Sequence, residues 1–221
     1  MKKKCTLLLV SIGLWYFSFA QLNYGFKIGV TQSKTKESFT SMYQDMNFKS
    51  GFQLGIFFEN KLFKNISVRP ALQLTQKGYE AVEGNENDSF FWYRKWSFTY
   101  LEIPIDFIYN LPLSKKTSIY IGTGPVIGVG LFGHGKGTIK GTDGAGQSFT
   151  QEGTGNKPFS RPGFKDIDLG ADFVAGLQFR RVAFAASYNH GLLNALNFDH
   201  GIQSTKNRSF AISLSYILSR N

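Results

Sequence analysis

The chain has 221 residues, 42% of them hydrophobic and only 18% charged, which excludes disorder as its general state. An aromatic content of 16% and 24 glycines against 6 prolines favour many strands and turns over long helices. The single cysteine, Cys5, excludes a disulfide scaffold and a cysteine-based zinc site, and the formal charge of +10 raises a nucleic-acid reading that the N-terminus removes.

Lys2, Lys3 and Lys4 form a positive start, followed by an apolar run from Leu7 to Phe19 that ends in Ser18-Phe19-Ala20. The run is too short to span a bilayer as a helix, and small residues at 18 and 20 form a cleavage pattern. Residues 1–20 are therefore expected to be a secretory signal peptide, with residues 21–221 forming one domain. Cys5 precedes the apolar run, which argues against a lipoprotein. Removing residues 1–20 takes away three lysines and no acid, leaving 22 basic and 15 acidic residues, a formal +7. No nucleic-acid partner is expected of an exported protein.

From Tyr24 onward the hydrophobic pattern has period two, the signature of half-buried strands. Tyr24, Phe26, Ile28 and Val30 share one face, with Gly25, Lys27, Gly29 and Thr31 on the other. Phe52, Leu54, Ile56 and Phe58 alternate with Gln53, Gly55 and Glu59; Ile66, Val68, Leu72 and Leu74 alternate with Ser67, Arg69, Gln73, Thr75 and Lys77. Leu101 to Tyr109 sets apolar odd positions against Glu102 and Asp106, and Ile119 to Leu131 does so against four glycines. Ile167 to Phe179 alternates with Asp168, Gly170, Asp172, Gly176 and Gln178. Val182 to Tyr188 and Phe210 to Leu218 complete eight amphipathic strands without a convincing helix.

Long connections are expected over 32–50, 80–96, 133–165 and 191–207, with short ones at 60–65, 110–116 and 180–181 between them. The pattern predicts an all-β fold: an eight-stranded antiparallel up-and-down transmembrane β-barrel with long extracellular loops and short periplasmic turns. Alternation alone fits a soluble barrel too, with its apolar face inside. Eight strands leave an interior just wide enough to be filled by side chains, and this many Phe, Leu, Ile, Val and Tyr would overfill it. The other face is rich in Gly, Ala and Ser, which weaken a water-facing strand but fit a crowded lumen. The apolar face is therefore expected to meet lipid, in the outer membrane.

Phe26-Lys27-Ile28-Gly29-Val30, Lys77-Gly78-Tyr79, Tyr100-Leu101-Glu102-Ile103-Pro104-Ile105, Gly122-Thr123-Gly124-Pro125 and Ser187-Tyr188-Asn189-His190-Gly191-Leu192 resemble the PorT-type outer-membrane β-barrel family of Bacteroidota. The Ala20-Gln21 junction is similar as well. The resemblance spans nearly the whole mature chain and implies a barrel, with a link to the type IX secretion system through the family's founding member. Outer-membrane barrels usually close on a terminal aromatic residue. Here Tyr216 is the last aromatic and the chain ends Leu218-Ser219-Arg220-Asn221.

Lys27, Arg69, Lys77 and Arg180 on the inner face nearly balance Glu59, Glu102, Asp106, Asp168 and Asp172. Buried charges are tolerable only when paired, so these residues are expected to form a salt-bridged plug, with Arg69 and Asp106 pairing low on neighbouring strands. Catalysis by Glu102 with Asp106, or Asp168 with Asp172, is disfavoured: i,i+4 positions on a strand lie roughly 13 Å apart. The glycines at 122, 124, 128 and 130 lie within a strand around Pro125, so they make no nucleotide loop. His134, His190 and His200 lack metal-ligand spacing. No compact Ser/His/acid cluster suggests a lipid-modifying enzyme. Neither enzymatic activity nor a cofactor is expected.

The segment from Ser89 to Trp96 holds five aromatics and two cations; it fits an aromatic girdle, or a contact site made by Phe91, Trp92, Tyr93, Arg94 and Trp96. The stretch 133–165 carries five cations against two acids, and 138–140 is expected to pair with 148–150 as a small hairpin. Lys61, Lys64, Lys115, Lys116 and Arg181 form a basic ring in the short turns, suited to anionic head groups. The expected partners are outer-membrane lipid, lipopolysaccharide and envelope or secretion proteins, or else a surface glycan or lipid ligand.

Overall fold

A computed structural model describes residues 22–39, 46–84, 90–142, 146–156, 165–194 and 202–219; the expected signal peptide lies outside them. The strands in chain order are β1 (Leu22–Phe39), β2 (Met46–Asn47), β3 (Lys49–Lys61), β4 (Ile66–Glu83), β5 (Phe91–Pro112), β6 (Thr117–Thr142), β7 (Ser148–Asn156), β8 (Ile167–Phe179), β9 (Val182–Asn194) and β10 (Ile202–Ser219). Eight of them form an antiparallel ring in the order β1-β3-β4-β5-β6-β8-β9-β10. The ring closes where β10 pairs with β1, from Tyr24 opposite Ser219 to Phe39 opposite Ile202. Closure leaves no open edge inside the membrane, where an unpaired backbone group costs several kcal/mol.

Side-chain exposure fixes which face points outward. On β10, Ser213 and Ser215 are 6% and 9% exposed, while Ile212 between β1 and β9 is 56% exposed. Phe26, Leu54, Phe107, Ile121, Phe173 and Phe184 are likewise exposed, and Thr31, Gln53, Gln73, Thr75 and Asn189 are buried. Such a surface is stable only against hydrocarbon, so the eight-stranded ring is a transmembrane barrel. Small inner residues make room for large neighbours: a Cβ on Gly25 would lie 2.8 Å from the Phe57 ring, and one on Gly176 would strike the Tyr120 ring.

The short turns fall at 62–65, 113–116 and 180–181. The last is a two-residue hairpin with Arg180 in the left-handed region at φ 54°, as a tight antiparallel turn requires.

The opposite end departs from the expectation of long loops. β4 runs to Glu83 and β5 starts at Phe91, while β6 continues for 26 residues. Beyond the ring, β7 pairs with the upper part of β6 from His134 opposite Asn156 to Thr142 opposite Ser148, and β2 pairs with β4. Much of 80–96 and 133–156 is thus a raised sheet of β4, β5, β6 and β7. The expected small hairpin is this β6–β7 ladder, longer than foreseen, with Lys140 opposite Thr150 and Thr138 opposite Glu152.

Candidate functional site

The lumen is crossed by three layers of side chains. Nearest the raised sheet, Lys77 on β4 contacts Glu102 on β5 at 2.6 Å and Asp168 on β8 at 3.0 Å. Lys77 Nζ also donates to Asn189 Oδ1 on β9 at 3.3 Å, and Asn207 Nδ2 on β10 donates to Asp168 Oδ2 at 3.3 Å. Gln73 Nε2 donates to the other Glu102 oxygen at 3.0 Å. One ammonium therefore ties strands from opposite walls, and its side chain is 2% exposed. Above it sit Tyr79, Ala81, Phe98 and Tyr100, an apolar cap against which Trp92 and Trp96 pack.

The arrangement needs Gly78 in the Lys77-Gly78-Tyr79 segment. A Cβ at 78 would strike the carbonyl oxygen of Trp96, and the Gly78 N–H donates to Ser33 Oγ at 2.8 Å.

At the turn end, Arg69 donates from Nε and Nη2 to Glu59 Oε2 at 2.9 and 2.7 Å. Ser67 Oγ donates to Glu59 Oε1 at 2.7 Å, and Asn110 Nδ2 donates to Ser67 Oγ at 3.1 Å. The Arg69 guanidinium lies over the Tyr120 ring at 4.6 Å and near Phe57 at 5.6 Å. Charge pairing, π-stacking and hydrogen bonding together compensate the desolvation of this ion pair.

Between these layers, Lys27, Asp106 and Asp172 border a cavity of about 30 Å³ that Arg69 and Ser213 also line. It has about the volume share of one water molecule.

Three expectations are corrected. Among the described residues no ion pair joins Lys27, Asp106 and Asp172, which border the cavity instead, so the salt-bridged network of the lumen is Arg69 with Glu59 and Lys77 with Glu102 and Asp168. Arg69 and Asp106 do stand opposite each other in the β4–β5 register, but the guanidinium turns to Glu59 on β3. Glu59 presents its carboxylate already held by Ser67, so it offers the better-organised acceptor. Arg180 is not in the lumen: it belongs to the β8–β9 turn, exposed, with its guanidinium 5.5 Å from the Phe179 ring. Of the nine charged residues expected there, the inner face consequently holds three cations, Lys27, Arg69 and Lys77, against five acids. Uncharged partners that the charge pattern missed, namely Gln73, Asn110, Asn189 and Asn207, do much of the bonding. Their only sequence signal is inner-face parity. His134 and His190 stand on the non-adjacent strands β6 and β9, and His200 lies outside the described residues.

The aromatic segment 91–96 is strand β5, not a loop. Phe91 is 7% exposed, and Trp96 lies parallel to Phe98 with ring centroids 5.8 Å apart. Trp92, Tyr93 and Trp96 are half-buried, and Arg94 is exposed with its guanidinium 4.8 Å from the Trp92 ring. Outside this face Lys95 pairs with Glu80.

A closed antiparallel ring with a lipid-facing apolar belt and a polar, filled interior defines the class of outer-membrane β-barrel proteins. The chain belongs to the outer membrane protein β-barrel domain family, whose model matches residues 19–197, and its location is the outer membrane. Comparison with curated proteins finds no match. Among solved structures it is similar to Ail, the attachment invasion locus protein of Yersinia pestis, at 18% identity and TM-score 0.40, covering 90% of this chain and 99% of that one. Neisserial surface protein A is similar at 12% identity and TM-score 0.43, covering 87% and 96%. The N-terminal barrel domain of Pseudomonas aeruginosa OprF is similar at 10% identity and TM-score 0.31, covering 87% and 97%.

Proposed function

We propose that this protein is a non-enzymatic barrel, closed to ions, that works by recognition through the raised sheet on its extracellular side. The carrying observation is the sheet itself: β6 pairs with β8 along its lower half and with β7 along its upper half, so β4 to β7 continue past the ring. A barrel needed only as a membrane plug has no use for that extension. Of the lumen acids that a hydrolytic reading would require, Glu102 and Asp168 both hold Lys77 and Glu59 holds Arg69, while Asp106 and Asp172 stand with Lys27 around the cavity of about 30 Å³. The apolar belt would contact lipid, and the basic residues of the short turns would face anionic head groups. Cleavage after Ala20 and export belong to the same reading.

The test is to replace residues 139–151 by a two-residue Asn-Gly turn, which joins the register partners Thr138 and Glu152, and compare adhesion of cells displaying either protein to a glycan and matrix-protein array. Lost adhesion with retained heat-modifiable gel migration supports the reading. Unchanged adhesion overturns it.

A second reading is envelope assembly or type IX secretion, supported by the resemblance of residues 26–30, 77–79, 100–105 and 187–192 to PorT-type barrels. Mild-detergent purification from the native membrane decides it: a stable set of co-eluting envelope proteins favours assembly, and a lone barrel removes this reading.

A further inference from the structure

The face of the raised sheet that continues the lumen wall carries a slot. Its rungs follow from the registers of β4–β5, β5–β6 and β6–β7. Trp96 stands beside Gly135 and Gly155, Arg94 beside Gly137 and Gly153, and Trp92 beside Ile139 and Gln151. The Trp96 indole lies directly on the first glycine pair, since a Cβ on Gly135 would come within 2.7 Å of its ring and one on Gly155 within 3.2 Å. The second pair is bare. A Cβ on Gly153 would meet nothing within 4 Å, and one on Gly137 would meet only the Tyr93 carbonyl at 3.5 Å.

The result is a backbone floor, walled by an indole and flanked by a guanidinium stacked on a second indole. Its volume is about 180 Å³, against about 30 Å³ for the Lys27 cavity. Arg94 is among its lining residues, and no acid is. Among the described residues Arg94 makes no ion pair; Glu83, the acid opposite Trp92 on the same face, makes none with it either.

We propose that this slot binds a saccharide bearing a phosphate or sulfate ester, the sugar ring lying on the Gly137–Gly153 floor against Trp96 and the ester taken by Arg94. The inference deepens the surface-recognition reading and rests on it. Aromatic faces accept the C–H face of a ring, and a bare backbone floor allows ring approach that any side chain would block. A guanidinium held by stacking offers its fork to a tetrahedral oxyanion with little further entropy loss. The slot opens on the extracellular side of an outer membrane, where such saccharides occur both in the membrane's own leaflet and on foreign surfaces. The two sources share this chemistry.

The experiment titrates the purified full-length protein in detergent, read by tryptophan fluorescence and calorimetry. The probes are a fully sulfated hexasaccharide, its desulfated counterpart and a bis-phosphorylated lipid A disaccharide. At least one charged probe is expected to bind, and the desulfated sugar at least about tenfold more weakly than the sulfated one, the loss of one charge-assisted contact. A preference for the phosphorylated probe identifies the membrane's own leaflet as the source, and a preference for the sulfated one identifies a foreign surface.

Arg94→Gln is expected to weaken charged-probe binding about tenfold. Gly153→Leu, whose side chain enters open space, fills the floor and removes binding while leaving the fold. Gly137→Ala serves as a milder version of the same block. Lys95→Gln, on the opposite face, leaves binding unchanged. Equal binding of charged and desulfated sugars, no binding of either charged probe, or indifference to Gly153→Leu overturns the proposal. If no probe binds and the shortened hairpin still loses adhesion, the slot inference alone falls. If the shortened hairpin loses nothing, the recognition reading falls with it.

Discussion

Lys77 on β4 and Asp168 on β8 meet across the lumen at 3.0 Å, joining strands from opposite sides of the barrel through one ammonium. The same ammonium serves Glu102, so two buried carboxylates share one positive charge. Removing it strands both of them in a site with 2% to 7% side-chain exposure. Lys77→Met is expected to cost about 3–5 kcal/mol, the range for an uncompensated buried charge, and the triple variant Lys77→Met/Glu102→Gln/Asp168→Asn to recover a large part of it. Urea unfolding in liposomes, followed by tryptophan emission, checks both.

The Lys95–Glu80 pair lies on the outer face of the raised sheet and is half exposed, so Lys95→Gln is expected to change stability by less than about 1 kcal/mol. The Glu80 hydrogen bond raises the Lys95 ammonium above its usual 10.5. A raised folded value means the contribution is fully present below that usual value and is lost as pH rises through the raised one. Unfolding of wild type and Lys95→Gln should therefore differ slightly at neutral pH and coincide above the lysine range, with the difference shrinking in high salt.

Leu54 is 51% exposed on β3, and Gln53 beside it is buried. An arginine at 54 faces hydrocarbon and is expected to cost up to about 2–4 kcal/mol, whereas Gln53→Met, facing the lumen, costs far less. Folding efficiency into liposomes at graded urea separates them. Equal penalties at both positions would contradict the assignment of faces.

Gly135 and Gly153 lie on one face of the same ladder, yet only Gly135 supports an indole. Gly135→Val should displace Trp96 from its stack on Phe98 and shift tryptophan emission to the red. Gly153→Val should leave the spectrum unchanged, because its Cβ has open space.

The ring and its faces were legible from residues 24–31, 101–109 and 210–218, because period-two alternation reports burial directly. Which face points to lipid follows from the Gly, Ala and Ser content of the other face, and in the structure two of those glycines, Gly25 and Gly176, make room for Phe57 and Tyr120. Arg180 continues the inner parity of Asp172, Gly176 and Gln178, so alternation alone places it inside, but it lies one step past the end of β8, where the left-handed turn takes over. Arg69 has acidic neighbours on both adjacent strands, Glu59 and Asp106, and a strand's own sequence does not say which one its fork will reach. Glycines 133, 135, 137 and 141 weaken a strand in isolation, so the sequence by itself suggests a loop there. Gly135 and Gly137 are held as strand by pairing on both edges, and Gly135 by the Trp96 ring lying on it, a relation between β5, β6 and β7 that no single segment displays.

The most direct test of a lumen closed by Lys77 and Arg69 with their partners is ion conductance of the purified full-length protein in planar bilayers. A quiet membrane is expected for the wild type and for Arg180→Gln, which lies outside the lumen. Steady open-channel steps from the wild-type protein would contradict it, because a conducting path cannot coexist with ion pairs that span the interior from β4 to β8.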